Sequence, residues 1–344
     1  MSDQGPASRK PANIKTIATE LGLSISTVSR ALKGDALVTA ETRTRVSEAA
    51  LRLGYRRDFR GVNLRTGKTY TLCALQTSIY SVDFGDPANT HLIQGLIAGT
   101  SGTDFKVVIL PVESQDNAIS TLQELVADGR FDGFILDHTE PQDPRVRFLI
   151  ERDINFVTFG RTELFTSHAY FDLDNEHAAY TATAHLISEG HTRIALIDPP
   201  PRYLFSLQRH RGYSRALADA GIPYDPALVV EMGIGIGSVR DRVAEILKIK
   251  KRPTGFVTSN EVATLGALSG CRSLPAAAFS ELGFVSRDGT KLFDYLDPPV
   301  SSLYYPLFEA GRHLAEMLVK SIHGTPVAAL QRLERTELIV RPAR

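Results

Sequence analysis

Residues 14–32 read IKTIATELGLSISTVSRAL, and two short amphipathic helices separated by Gly22 can be written across them. Ile14, Ile17, Ala18 and Leu21 recur at i, i+3, i+4 and i+7, the spacing that lines one helix face, with Asn13 as a cap before them. Gly22 then breaks the helix. Ser24 caps the second, in which Val28, Ala31 and Leu32 turn inward and Ser26, Thr27, Ser29 and Arg30 are left for another surface. A third helix follows, capped by Thr39, with Val46, Ala49, Ala50 and Leu53 inward and Gly54 as its stop. Three helices over residues 13–57 would share one small core.

Two helices joined by a tight turn read DNA when the first braces the second, whose N-terminal residues then meet base edges in the major groove. Ser24, Thr27 and Ser29 carry short hydroxyls suited to phosphate oxygens, and Arg30 can grip a guanine edge with two bonds. Ile25 and Ser26 sit where sequence choice would be made, and Asn13 completes the candidate DNA-contact set. An ordinary helical hairpin has the same periodicity, so the charge distribution is the second argument. The 344 residues carry no formal net charge, yet residues 1–70 hold 13 Lys/Arg against 6 Asp/Glu, and the remainder hold 26 against 33. A basic head with helical periodicity precedes an acidic body, which fits a nucleic-acid contact better than a solvated tail.

Length predicts at least two cores. Hydrophobic residues at 43% and charged residues at 23% exclude a wholly disordered, collagen-like or membrane-embedded chain. No apolar stretch approaches the roughly 18 residues of a membrane helix and no signal-like segment opens the chain, so a cytoplasmic protein is expected. Cys73 and Cys271 are far apart in apolar surroundings, which predicts core residues rather than a disulfide or a zinc site; no cofactor is expected. Residues 1–12 are small, polar and aperiodic, a disordered lead-in. Beyond residue 70, strand-like runs alternate with helical segments: YTLCALQ, FKVVILPV, FDGFILD, INFVTFG, RIALIDPP, TGFVTSN, SELGFV and SSLYYP. That alternation predicts parallel sheets, whose ligands gather at the carboxyl ends of the strands.

The N-terminal segment, continued through ALKGDALVTAETRTRVSEAALRLGY, resembles the headpiece of the lactose-repressor/galactose-repressor (LacI/GalR) family. The likeness runs on through DLDNEHAAYTATAHLISEGHTRIALI, RHRGYSRAL, TSNEVATLGAL, YLDPPVSSLYYPLFEAGRHLAEML and TELIVRPAR, leaving out only residues 1–12. The resemblance implies an all-α helix-turn-helix headpiece followed by an α/β core of the type I periplasmic-binding-protein kind, with two parallel-sheet subdomains. It implies a hinge helix and linker at 58–70, in which Leu64 would wedge between base steps in the minor groove. Arg57 and Asp58 depart from the family's usual Pro and Asn there. The core at 71–344 would divide into subdomain one, 71–168 and 302–323, and subdomain two, 169–301 and 324–344.

Between the subdomains the resemblance places an effector. Arg209 matches the family's ligand-binding arginine, with a planar fork suited to vicinal hydroxyls or a carboxylate. Asn260 matches a pocket asparagine, and Asp172, Asp137, Arg161, Phe205 and Tyr305 fall at other ligand-facing strand ends or crossovers. Phe84 lies in a first loop longer than usual for the family. Each has a bland counterpart: a strand-end Asp serves as a cap, Arg161 pairs with an acidic neighbour, Tyr305 belongs to the core. Gly283-Phe284-Val285-Ser286 stands where Gly-Phe-Asp-Asp is usual, and Gly160 where an Asp is frequent, so the effector's identity does not carry over from relatives. The arginines leave room for an acidic sugar.

The partners expected are therefore operator DNA, a carbohydrate-like small molecule and a second copy of the chain, and the function is that of a repressor modulated by that molecule. The ending RPAR carries no heptad tail, so a dimer is expected rather than a tetramer. Three alternatives compete. An enzyme on the same fold has thin support, because no metal-spaced histidines, nucleophile elbow or Walker loop occurs, and GIGIG at 233–237 is a weak glycine loop. A binding protein without a DNA role leaves the basic head unexplained, and a regulator that has lost its ligand response is the third alternative.

Overall fold

The computed structural model describes residues 12–32, 34–55, 67–77, 87–112, 115–232 and 236–341. Residues up to 11, Leu64 of the expected hinge and Phe84 of the expected first loop lie outside the described residues. The chain divides into two units, Met1–Lys68 and Thr69–Arg344.

In the smaller unit the three expected helices form, α1 (Ile14–Leu21), α2 (Ile25–Leu32) and α3 (Ala40–Arg52). Local chemistry sets their ends. Asn13 Oδ1 accepts from the Thr16 amide at 3.1 Å while Thr16 Oγ1 accepts from the Asn13 amide at 3.3 Å, a reciprocal capping box. Gly22 ends α1 at φ +65°, a conformation that suits glycine. Ser24 Oγ accepts from the Thr27 amide at 3.1 Å and Thr39 Oγ1 from the Thr42 amide at 3.3 Å. Ile17, Val28 and Val46 are wholly buried, and Ala18, Ala31, Ala49 and Ala50 close around them. Full burial of each branched side chain stabilises by about 1.5–3 kcal/mol, the main force available to so small a core. Val38, Leu23 and Tyr55 join this core from the turns, where helical periodicity does not mark them. Arg43 fixes the turn before α3 by donating to the Asp35 and Val38 carbonyls at 3.1 and 2.8 Å.

Among the described residues the larger unit contains two six-stranded sheets. The first is built from β1 (Thr71–Thr77), β2 (Lys106–Val112), β3 (Gly133–Leu136), β4 (Phe156–Phe159), β5 (Tyr170–Leu173) and β11 (Gln331–Glu334), in the order β11-β5-β4-β3-β1-β2. The second takes β6 (Ile194–Asp198), β7 (Val229–Glu231), β8 (Gly255–Thr258), β9 (Gly283–Asp288), β10 (Ser301–Tyr304) and β12 (Glu337–Ile339), in the order β12-β10-β9-β8-β6-β7. All pairings are parallel except β10 with β12. All eight apolar runs become strands, and β3, β6 and β8 are buried along their whole length, as parallel strands covered on both faces must be.

Helices cover both sheets. On the first, α4 (Pro87–Gly99) and α12 (Leu307–Ile322) share one core, while α5 (Gln115–Ala127) and α6 (Pro144–Glu151) pack on another. On the second, α7 (Asn175–Ser188) and α8 (Leu204–Asp219) flank one face, and α9 (Ile236–Ile246) and α10 (Glu261–Cys271) the other. Gly212 lets α8 reach α7, since a Cβ there would stand 2.0 Å from the Glu176 carbonyl oxygen. Cys73 and Cys271 are wholly buried, and burial pushes both thiols up to about 12.

The strand pairings move the expected subdomain boundaries. β5 pairs with β4 through Thr158–Tyr170 and Phe159–Phe171, so 169–173 belong with the first sheet rather than the second subdomain. β10 pairs with β9, which puts 302–304 on the second sheet, and β11 pairs with β5, which returns 331–334 to the first. The chain crosses between lobes after β5, after β10 and between β11 and β12. Residue-level pairing decides these points, and two short strands, β5 and β11, carry too little alternation to announce it.

Candidate functional site

The first candidate surface is α2. Its burial alternates as an amphipathic helix requires: Val28 and Ala31 point into the core, Thr27 and Ser29 are half-buried, and Ser24, Ser26 and Arg30 are exposed. Ile25 is 47% exposed, an apolar side chain turned to solvent at the helix start. Ser24 Oγ lies 2.8 Å from both Ser26 Oγ and Thr27 Oγ1, so the three hydroxyls form one cluster at the N-terminal end of the helix. That end also carries the helix's unpaired amides and positive dipole, which favour phosphate. Asn13 is exposed, but its side chain already serves as the cap of α1.

The second candidate lies between the two lobes of the larger unit, where both sheets present carboxyl ends of strands. Arg209, on α8, is buried, and its Nε donates to Asp198 Oδ1 and Oδ2 at 2.9 and 3.1 Å while Nη2 donates to Oδ1 at 2.6 Å. Asp198 ends β6 and also accepts from Ser206 Oγ at 2.9 Å. The remaining guanidinium nitrogen, Nη1, reaches Asn175 Oδ1 at 3.3 Å, and the Phe205 ring covers one face of the group at 4.7 Å. Asn175 turns its amide nitrogen to Asp172 Oδ1 at 3.2 Å and to Gln208 Oε1 at 3.3 Å. Asp172, at the end of β5, accepts from Arg161 Nε at 2.7 Å. One hydrogen-bonded chain thus runs from Arg161 and Asp172 on the first lobe, through Asn175 at the crossover, to Arg209 and Asp198 on the second.

Burial pushes the carboxyls of Asp172 and Asp198 above their ordinary range, against the pull of Arg161 and Arg209 respectively. Asp137 goes the other way. Burial opposes its ionisation, but His138, the Thr77 amide at 3.0 Å and Arg145 together hold it below the usual range. The fully buried Arg145 pairs with Asp143 at 2.8 Å and donates to the Asp137 carbonyl at 2.8 Å, stiffening the end of β3. His138, with φ +49°, sets its ring against Tyr203 and Phe205 at 5.6 and 5.7 Å. The lobes also meet where the Leu204 amide donates to the Thr139 carbonyl at 2.9 Å and Arg202 pairs with Glu140 at 2.8 Å. An open cleft of about 530 Å³ beside this network is lined by Arg161 and Glu163 from one lobe and by Leu204, Gln208 and Arg211 from the other.

The structure therefore joins Arg161, Asp172, Phe205 and Arg209 in one contact network, with Asp137 linked to Phe205 through His138. Asn260 is buried at the start of α10, where its Oδ1 accepts from the Ala263 amide at 2.9 Å as a helix cap. Tyr305 packs on Phe171 at 5.8 Å against the core of the first lobe. Asn175, Asp198, Tyr203 and Gln208 were not marked by the sequence reading. Of these only Asp198 carried a usable signal, a charged residue ending the apolar run RIALID. Gly160 is explained sterically: at φ +112° a Cβ would sit 2.6 Å from Thr139 Oγ1, which itself donates to the Arg161 carbonyl at 2.7 Å. Val285 and Ser286 are buried, and Ser286 Oγ lies within the second lobe, 2.8 Å from Thr264 Oγ1. Among the described residues no group of three or more His, Cys, Asp or Glu could hold a metal ion.

A helix-turn-helix unit with an exposed polar recognition helix, coupled in one chain to a two-lobed α/β core, defines a DNA-binding transcriptional regulator. Comparison with known proteins gives the family. Residues 13–58 match bacterial regulatory proteins of the lacI family, and residues 183–342 match a periplasmic binding protein-like domain. The chain is 33% identical over 337 residues to the HTH-type transcriptional regulator AglR of Rhizobium meliloti, covering 96% of this chain and 94% of that one. It is 27% identical to the HTH-type transcriptional repressor CytR of Escherichia coli, covering 96% and 95%. The structure of a complex of the transcriptional regulator CelR with cellobiose superposes with a TM-score of 0.72 at 26% identity, covering 97% of this chain and all of that one. The chain belongs to the LacI family of bacterial transcriptional regulators.

Proposed function

We propose that the protein is a homodimeric repressor that binds a near-palindromic operator through α2 and changes its operator affinity when a sugar occupies the cleft between its lobes. The observation that carries this is the hydrogen-bonded chain from Arg161 to Asp198, which spans both lobes. A ligand bonded to it interacts with both lobes at once and so distinguishes one lobe angle from another. Such differential affinity is what a conformational response requires. The aromatic surfaces of Phe205 and Tyr203, the carboxylates of Asp137 and Asp172 and the forks of Arg161 and Arg209 form the mixed polar and aromatic network that hydroxyl-rich ligands need. The open cleft beside it, lined by Arg161, Glu163, Gln208 and Arg211, has a volume within the range of small-molecule sites. Asn260, Tyr305 and Phe84 complete the proposed effector set; Leu64 and Asn13 complete the DNA set beside Ser24, Ile25, Ser26, Thr27, Ser29 and Arg30.

Twofold operator symmetry follows from one helix-turn-helix per half-site. Among the described residues no helix is long and apolar enough to cross a membrane, and we place the regulator in the cytoplasm with its DNA, without catalytic activity. Cellobiose is the first sugar to try, on the precedent of the CelR complex. The test is fluorescence anisotropy of a selected operator duplex at fixed salt, with and without a panel of disaccharides. The reading predicts at least one sugar that lowers operator affinity about tenfold or more, equivalent to about 1.4 kcal/mol of coupling. Operator affinity indifferent to every sugar would replace it with a DNA-bound regulator that has no ligand response.

A further inference from the structure

Arg161 and Arg209 are the groups that would attract an acidic ligand, and each already faces a buried carboxylate of this chain. Arg209 gives its Nε and Nη2 edge, one of the two that can hold a carboxylate, to Asp198, which is 3% exposed, and gives Nη1 of the other edge to Asn175. Arg161 gives Nε to Asp172. Arg287, whose Nε donates to the Ser259 carbonyl at 3.2 Å, borders the same small cavity as Arg209, and its field also falls on Asp198. Arg161 and Arg209 are thus each matched by a carboxylate, and on the open cleft Arg211, Arg215 and Arg335 are likewise paired with Glu163, Glu176 and Asp174, so at each of them an added anion must compete with a carboxylate of this chain. A carboxylate or phosphate entering at Arg209 would have to displace Asp198 and leave it buried without its partner, a heavily disfavoured arrangement. A hydroxyl makes no such demand, because it can donate to a carboxylate oxygen or accept from an arginine already paired.

We propose that Asp198 determines effector specificity: by holding the carboxylate-binding edge of Arg209 it rejects acidic ligands and restricts the cleft to uncharged, polyhydroxylated ones. This rests on the reading of the cleft as a sugar site. It reverses the room for an acidic sugar that the arginines alone suggest. Asp198 acts through Arg209, so it is a positioning residue, and the informative readout is a ratio of affinities rather than one affinity.

The experiment is calorimetric titration of the full chain with neutral disaccharides, cellobiose among them, each matched with its aldonic acid, cellobionate for cellobiose. Asp198→Asn retains an acceptor for Arg209 and Ser206 while removing the charge, and Asp198→Ser is the second variant should the first misfold. The expected result is that the native chain binds a neutral sugar and its acid at least about 10-fold more weakly, and that a folded Asp198 variant shifts this ratio towards the acid by about 10- to 100-fold, the worth of a regained charge-assisted bond. An acid bound by the native chain as tightly as its neutral partner overturns the proposal and leaves the sugar site standing. An unchanged ratio in folded variants also overturns it. Binding of no sugar, neutral or acidic, overturns the sugar site and the proposal together.

Discussion

The polar side chains at the start of α2 are open to solvent and bond only near neighbours in sequence, whereas those of the cleft are buried and bond across elements. Ser24, Ser26 and Arg30 are exposed, while Asp172, Asn175, Asp198 and Arg209 are buried and mutually bonded. The difference follows from the partners each surface meets. DNA brings a dense array of phosphate charge, so a reading helix needs little beyond correct direction and a basic surround. A small ligand brings few groups, so the cleft must hold its own dipoles in place beforehand, and buried polar groups persist only when satisfied. Stability and function are therefore separable in the headpiece at Ile25 and Arg30, which cap nothing, and coupled in the core.

The largest effect that would break this contrast lies in the core. Arg209→Ala leaves Asp198 buried without its counter-charge, and the core should lose about 3–5 kcal/mol, read as a lower denaturation midpoint. A loss under 1 kcal/mol would show that the network is not structurally committed. The next effect is in pH. All nine histidines lie at or beyond residue 91, and His168 is buried, stacked on Phe156 and held down to about 4 by burial. A histidine depressed from 6.5 takes up its proton in the unfolded chain first, so stability is full above pH 6.5 and falls towards pH 4, by about 3 kcal/mol for this group. Urea titrations of native chain and His168→Gln at pH 7 and pH 5 should show a shallower pH slope in the variant. Equal slopes would remove His168 as the cause.

Smaller effects sharpen the headpiece side. Arg30→Ala should leave the melting temperature unchanged and lower operator affinity by about 1–3 kcal/mol at one base position. Equal loss on every sequence in a DNA titration would make Arg30 a phosphate contact instead. Asn13→Ala should cost the headpiece about 1 kcal/mol through the lost cap, followed by helical circular dichroism, and Asn13→Ser should restore most of it.

The headpiece was legible because its information is local. Caps at Asn13, Ser24 and Thr39, stops at Gly22 and Gly54 and one apolar face per helix all lie within a few residues of what they control. The eight strands that lie in apolar runs were legible for the same reason. The lobe crossings were not, because β11 joins β5 through pairings between residues 161 positions apart, such as Tyr170 with Gln331. The cleft shows the same limit. Arg209 and Asp172 were marked singly, but Asn175, which links them, reads in sequence as an ordinary helix start after Asp174, and the Asp198–Arg209 pair exists only once β6 and α8 are packed.

The most direct test of the central claim is selection of binding sites by the full chain from a pool of random duplexes, followed by titration of the winners across salt. An enriched twofold motif is expected, bound with steep salt dependence and lost or altered in Arg30→Ala. Recovery of no motif above the random pool, with equal affinity for every duplex, would contradict it.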